Sequence, residues 1–189
     1  MTNLITLSLD LGSTIGFALG SNGIIDKSGE VALSVGVKRA HPGKRLLCFQ
    51  NWLYEMCIAT RNGETVKLVH EILFEEVTMF FKGNSAAIMY GRMLGQLEVF
   101  SLMHNIPLRS LPVGTIKKDF TGNGNAKKEV MCDVAMNLGW KNGARGTRNN
   151  DNECDAIALF WVVAVRRGIK PSFAATEQVA LDLAGVKGA

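Results

Sequence analysis

The sequence is poor in the residues that hold soft metals or staple small folds. Its four cysteines, Cys48, Cys57, Cys132 and Cys154, form no CxxC pair and no cysteine–histidine metal spacing. Free thiols in a reducing compartment are therefore expected, rather than a disulfide framework or a zinc site. His41, His70 and His104 are scattered, which argues against an imidazole-based metal centre. No apolar run approaches the roughly 18–20 residues of a membrane-spanning helix, and Met1-Thr2-Asn3 lacks the basic start of a secretory signal. A cytoplasmic location without membrane contact is the expectation. Internal repeats, low-complexity tracts and linkers are also lacking. The 189 residues suit one well-cored domain, with a core over about 4–168 and a helical or frayed tail over 170–189.

What is present starts with Leu4 to Ala18, LITLSLDLGSTIGFA. Leu7 and Leu9 alternate with Ser8 and Asp10, so strand periodicity places Asp10 on the face opposite the leucines. Gly12 allows a tight turn, after which the chain returns as an antiparallel strand. A carboxylate in so apolar a strand is costly to bury unless something pairs with it. A metal ion is one compensation; a turn-capping role beside Ser13 and Thr14 is the other reading.

Positive charge is unevenly placed. Eight basic and three acidic residues lie between Arg109 and Arg148, so this segment carries +5 and the remainder of the chain −1. Lys38-Arg39 and Lys44-Arg45 form a second cluster. Two basic patches on a near-neutral body suggest a polyanionic partner, with a merely solvated basic face as the plainer alternative.

Periodicity and turn residues predict strands at Leu4–Leu11, Ile15–Gly20 and Ile24–Ser34, the last two joined by Ser21-Asn22-Gly23. A helix over Arg45–Ala59 is ended by Asn62-Gly63, and a fourth strand runs over Val66–Val77 to Glu75-Glu76. A helix over Ser85–His104 and a fifth strand over Ile106–Leu111 follow. Beyond Pro112 the pattern predicts helices over Val113–Phe120, Ala126–Leu138 and Asp151–Arg167, a basic loop at Lys141–Asn150, and a last amphipathic stretch at Thr176–Ala184. This order predicts an α/β fold, one five-stranded mixed sheet flanked by helices.

Three acidic positions stand out: Asp10, Glu75 or Glu76, and Asp151 with Asp155. Asp151 and Asp155, four apart, share a helix face. If the fourth strand lies parallel to the first, their carboxyl ends converge where open sheets bind ligands. Asp151 could equally cap its helix. All-oxygen donors of this kind suit Mg²⁺ or Mn²⁺ rather than zinc.

The segments LSLDLGSTIGFAL, FEEVTMFFKGNSAAIMYGRMLGQ, VGTIKKDFTGNGNAKKEVM and DNECDAIAL, in that order, resemble the RuvC family of Holliday-junction resolvases within the ribonuclease-H-like nucleases. They span Leu7 to Leu159, most of the chain. The resemblance implies a ribonuclease-H-like fold and a homodimeric, Mg²⁺-dependent endonuclease. Such an enzyme nicks four-way and other branched DNA to leave 5′-phosphates, using two ions per site, with Mn²⁺ able to substitute. It implies catalytic and metal-holding roles for Asp10, Glu75 and Asp155, with a fourth acidic ligand just upstream. Many relatives place that residue three positions before the final Asp, where this chain has Asn152; Asp151 is the choice here, a pattern similar to phage-type members (in which case the location is the host cytoplasm). Lys117 and Lys128 match lysines tied to activity or DNA contact, Lys128 being counted with the catalytic set. Lys118, Lys127 and Lys82 would add phosphate attraction. Phe80 and Phe81 would stack on a base near the crossover, or else make ordinary apolar contacts. The alternatives are a ribonuclease-H-like enzyme acting on RNA or on other branched DNA, and a non-catalytic junction-binding module. DLGST also resembles the first phosphate motif of actin-like kinases, which need two domains. The run from Gly122 to Lys128 fails the phosphate-loop spacing.

Overall fold

A computed structural model of the chain describes residues 3–33, 41, 43–77, 84–141 and 151–174. Three strands lead: β1 (Ile5–Asp10), β2 (Thr14–Ser21) and β3 (Ile24–Ala32). They form an antiparallel meander in which Asp10 lies opposite Gly16 and Gly16 opposite Glu30. The turn between β2 and β3 takes Asn22 and Gly23 into the left-handed region, at φ 49° and 85°. That backbone twist matches the flanking strands.

Helix α1 (Gly43–Cys57) follows, then a small hairpin of β4 (Ile58–Arg61) and β5 (Glu64–Lys67). Here the structure corrects the sequence expectation. Asn62-Gly63 does not end a helix; with φ of 51° and 80° it is the turn of this hairpin. The fourth strand is likewise not continuous over Val66–Val77: β5 stops at Lys67, and β6 spans Glu71–Glu76. β5, Glu-Thr-Val-Lys, is mostly exposed and pairs with β4, so the run from Val66 divides between the hairpin and the main sheet according to pairing partner.

Helix α2 (Asn84–His104), β7 (Leu108–Pro112), α3 (Val113–Thr121), α4 (Lys128–Asn137), α5 (Asp151–Arg166) and β8 (Ser172–Phe173) complete the order. The main sheet runs β7-β6-β1-β2-β3-β8 and is mixed, with β6 parallel to both β1 and β7. The sixth strand, β8, adds to the expected five and pairs parallel with the β3 edge, so part of the tail is extended rather than helical. The expected segments at Thr176–Ala184 and Lys141–Asn150, and Lys38-Arg39, lie outside the described residues, apart from Lys141 itself.

Side-chain alternation divides the core. Leu7, Leu9, Ile15 and Phe17 face α1 and α2 with Phe49, Leu53, Met93 and Leu97. Ala18 and Leu73 face the other layer with Ile116, Ile157 and Phe160 of α3 and α5. Helix α5 sinks close to the sheet because β2 presents Gly16, Ala18 and Gly20 to it. A Cβ on Gly16 would stand 1.7 Å from the Asn152 carbonyl oxygen, and one on Gly20 would stand 2.8 Å from the Phe160 ring.

Polar bonds hold the helix there. The buried Ser8 hydroxyl donates to the Ala156 carbonyl at 2.8 Å. At the far end Arg167 forks onto the buried Glu71, with Nη2 donating to Oε2 at 2.7 Å and Nη1 to Oε1. Thr6 donates to the same carboxylate at 2.8 Å. Burial alone would raise the Glu71 pKa, but the Arg167 and Thr6 bonds outweigh it and hold the carboxyl below its ordinary value. This contribution to stability is present above the ordinary carboxylate range and lost as the pH falls through the lowered value.

The close approach at Gly16 can be measured. Gly16→Ala should lower the melting temperature by several degrees, since overpacking costs about 1–3 kcal/mol and each kcal/mol moves a chain of this size by roughly 2–4 °C. Gly114→Ala is the control, because a Cβ at that helical position meets nothing within 4 Å. Equal melting of wild type and Gly16→Ala would show that α5 does not lie against β2 as described.

Candidate active site

The register puts three carboxylates on one face. Leu9 pairs with Phe74 across the parallel β1–β6 edge, which sets Asp10 beside Glu75 at the carboxyl ends of both strands. Strand parity turns Glu75 to the α5 side together with Asp10. Glu76 falls on the other side, where its Oε2 accepts from Ser110 at 3.3 Å. Of the two, Glu75 is the one placed beside Asp10. From the α5 layer Asp155 meets the pair one turn into its helix, while Asp151 sits at the helix start. Glu75 and Asp155 are buried, at 7% and 9% exposure. The Asp151 side chain is more open, at 39%.

Burial is the first cause of the titration shifts. It raises Asp10 to about 7, with the Asp155 charge adding to the rise, the Lys128 ammonium opposing it and Glu30 contributing further. Burial also raises Asp155 to about 6, although Lys128 and Lys117 pull the other way. Glu75 is pushed well above the usual carboxylate range by burial, then by Asp10 and Asp155. Asp155 raises both Asp10 and Glu75, and Asp10 raises Glu75, as acids sharing a poorly solvated volume do.

Two of the expected lysines join them. Lys128 opens α4, and its Nζ lies 3.5 Å from Asp151 Oδ2 and 4.0 Å from Asp155 Oδ2. Burial would lower its pKa, but Asp155, Asp151 and Asp10 together raise it above the ordinary lysine value. Lys117 donates to the Ala126 carbonyl at 3.0 Å and lies near enough to Glu75 and Asp155 to act on both. Lys118 and Lys127 are exposed beside them. Phe80, Phe81 and Lys82 lie outside the described residues. Among the described residues no three His, Cys, Asp or Glu side chains form a ready cluster for a metal ion. As the side chains lie, the Lys128 ammonium is the cation against Asp151 and Asp155.

Three supporting residues escaped the sequence reading. Tyr90 of α2 donates to the Glu75 carbonyl at 2.9 Å and accepts from the Val77 amide at 3.2 Å, pinning the end of β6. The buried Glu153 accepts from Ser28 at 2.7 Å and from the Trp140 indole at 3.0 Å, which ties the first turn of α5 to β3 and to the end of α4. Glu30 of β3 accepts from the backbone amides of Asn152 and Glu153 at 3.1 and 3.4 Å. Only Glu30 carried a signal, as an acidic residue within a predicted strand.

The sheet order, the helical layers and the acidic end of β1 and β6 define the class: a ribonuclease-H-like α/β fold with a carboxylate site at the carboxyl ends of its central strands. Solved structures share this fold. T. thermophilus RuvC in complex with a Holliday junction substrate superposes with a TM-score of 0.64 at 21% identity, covering 89% of this chain and 99% of that one. A further structure of Thermus thermophilus RuvC gives 0.61 at 18%, with 89% and 99% covered. The yeast mitochondrial Holliday junction resolvase Ydc2 gives 0.58 at 16%, with 86% and 80% covered. The chain therefore has the RuvC fold over most of its length. No protein-family model and no curated protein sequence matches it.

The raised pKa values have a direct consequence for stability. Burial favours protonated Asp10, so the stability it contributes is full below about pH 4, where the unfolded carboxyl is also protonated, and is lost as the pH rises through its folded value of about 7. Asp10→Asn should raise the melting temperature of the metal-free protein by a few degrees at pH 7.5, and by clearly less at pH 4.5. A variant that melts below wild type at pH 7.5 would contradict the buried, mutually repelling placement.

Proposed function

We propose that the protein is a metal-dependent endonuclease that resolves four-way DNA junctions. The observation that carries this reading is the convergence of half-buried Asp10 with the buried Glu75 and Asp155 at the carboxyl ends of β1 and β6, in a RuvC fold, with the Lys128 ammonium against Asp155 and Lys117 nearby. An acidic cluster this costly to bury is explained by a cation that it holds. The donors are hard oxygens with no thiolate or imidazole among them, which fits Mg²⁺ or Mn²⁺. Asp10, Glu75, Asp155 and the more open Asp151 would hold two such ions. When bound, they supply the charge that activates a water and stabilises the leaving 3′-oxygen, giving a nick with a 5′-phosphate.

The chain's own residues do the rest. Asp10 and Asp155 must shed the protons that burial favours before they can act as ligands, so activity should climb through pH 6–7 as these groups ionise. Lys128 offsets part of the charge of Asp151 and Asp155, and its ammonium would also meet a phosphate brought to the site. The exposed Lys118 and Lys127 would attract the DNA backbone.

A second copy of the chain is the proposed partner. Ile88, Gly91, Gly95, Val99 and Leu102 line one face of α2 at heptad-like spacing, and Leu102 is 84% exposed. A Cβ on either glycine would meet nothing within 4 Å, so a second helix can approach closely there. A two-fold dimer would bring two sites to symmetric strands of a junction.

The decisive experiment incubates the protein with synthetic four-way junctions, flaps, forks and RNA/DNA hybrids in EDTA, Ca²⁺, Mg²⁺ and Mn²⁺. Cleavage of the junction in Mg²⁺ and Mn²⁺ is expected, with binding but little cleavage in Ca²⁺, which is larger and tolerates irregular coordination. Strong cleavage in EDTA would end the metal mechanism. A preference for RNA/DNA hybrids would move the protein to a different ribonuclease-H-like activity. Asp10→Asn and Asp155→Asn should abolish cleavage and keep junction binding; full cleavage by either variant would remove that residue from the site.

The lysines are tested separately. Neutralising Lys118 or Lys127 should reduce the slope of log affinity against log salt by about one each. An unchanged slope would show that these side chains face away from the DNA.

A further inference from the structure

Glu30 stands outside every acidic position that the sequence pattern singled out, yet it touches the element that carries half of the site. It lies on β3 directly opposite Gly16, the glycine over which the first turn of α5 rests. Its Oε1 accepts from the Asn152 amide at 3.1 Å and the Glu153 amide at 3.4 Å. These are two of the donors that the start of a helix leaves without an intrahelical partner. Ordinarily a residue just before the helix satisfies them through its own side chain. Here the acceptor comes from a strand more than a hundred residues earlier.

We infer that Glu30 is a positioning residue for the candidate active site, a cap supplied by the sheet that fixes the first turn of α5 and with it Asp151 and Asp155. The inference rests on the metal-dependent nuclease reading for its functional part only. Several features agree with it. Gly16 removes the side chain that would hold α5 off the sheet, so the capped amides come within reach of β3. Glu153, the residue after the first capped amide, is itself bonded to Ser28 two positions before Glu30, so β3 grips the helix start at two points. A carboxylate there also complements the positive end of the helix. The position of Asp155 relative to Asp10 depends on where the helix begins along β1 and β2. A first turn that frays would let Asp151 and Asp155 drift apart from the strand carboxylates.

The test uses the full chain and two variants, Glu30→Gln and Glu30→Ala. The glutamine retains a carbonyl oxygen that can accept from both amides; the alanine retains nothing. Amide hydrogen exchange reads the cap without reference to activity. In Glu30→Ala the Asn152 and Glu153 amides should exchange at least roughly tenfold faster, the factor that loss of a good helix cap corresponds to, and in Glu30→Gln they should stay near wild type. The second readout is the rise in melting temperature on adding Mn²⁺, which should shrink in Glu30→Ala and be largely retained in Glu30→Gln. The third is junction cleavage at saturating DNA, which should fall tenfold or more for the alanine variant and less than threefold for the glutamine, with junction affinity in Ca²⁺ unchanged.

Wild-type exchange in Glu30→Ala overturns the cap. Protected amides with equal losses of cleavage in both variants overturn the positioning role, because the charge and not the accepting oxygen would then matter. If wild type cleaves no junction with any metal, the nuclease reading fails, and the exchange measurement still decides whether Glu30 holds the helix.

Discussion

The whole arrangement depends on how deeply α5 sits in the sheet. A helix resting on ordinary β-branched side chains would stand further from the strands and could not bring Asp155 into the same desolvated space as Asp10 and Glu75. The Gly16-Ala18-Gly20 stripe of β2 removes that spacing. Ser8 then spends its hydroxyl on the Ala156 carbonyl, between the two ends of the helix. Arg167 and Glu71 fasten the C-terminal end, and Glu30 and Glu153 fasten the N-terminal end. The helix is tied to the sheet at its start, its middle and its end, and its apolar body fills the layer between.

Those ties bear on the cost of the site. Three carboxylates with raised pKa values oppose folding at neutral pH, and the Lys128 ammonium relieves only part of their repulsion. Glu71 has the opposite character at the other end of the same strands: a buried carboxylate held below its ordinary pKa by a forked arginine. One end of the sheet is thus strongly paired and the other is under electrostatic strain. Proteins commonly concentrate such strain where they bind something, and the polarity of this sheet follows that pattern.

Much of the site's composition could be read in advance because it follows from local rules. Alternation in Leu7-Ser8-Leu9-Asp10 placed Asp10 away from the leucine face, and the i, i+4 spacing put Asp151 and Asp155 on one helix face. The parallel pairing of β1 with β6 was a condition of the argument, and it holds. The misreadings also have physical causes. Asn62-Gly63 suits both a helix stop and a hairpin turn, since each needs positive φ, and the residues alone do not say which chain follows. The two-residue β8 has too little pattern to announce itself, and it exists because the open edge of β3 can receive it. Tyr90, Glu30 and Glu153 went unread as site supports because their partners are 13 to 125 positions away.

By itself the sequence determined the alternation of strands and helices, the side of β1 on which Asp10 lies, the hard-oxygen character of the acidic set and the basic bias after Pro112. These depend on backbone periodicity and side-chain chemistry, which are properties of neighbouring residues. Tertiary structure alone decided that Glu75 rather than Glu76 turns toward Asp10, because register with β1 sets which parity faces α5. It alone decided that Lys128 reaches the carboxylates and Lys117 lies near them while Lys118 and Lys127 face solvent, and that a glutamate from β3 caps the helix carrying Asp155. Each of those outcomes needs the relative placement of segments far apart in the chain, and that placement follows from packing α5 into a groove that only the assembled sheet possesses.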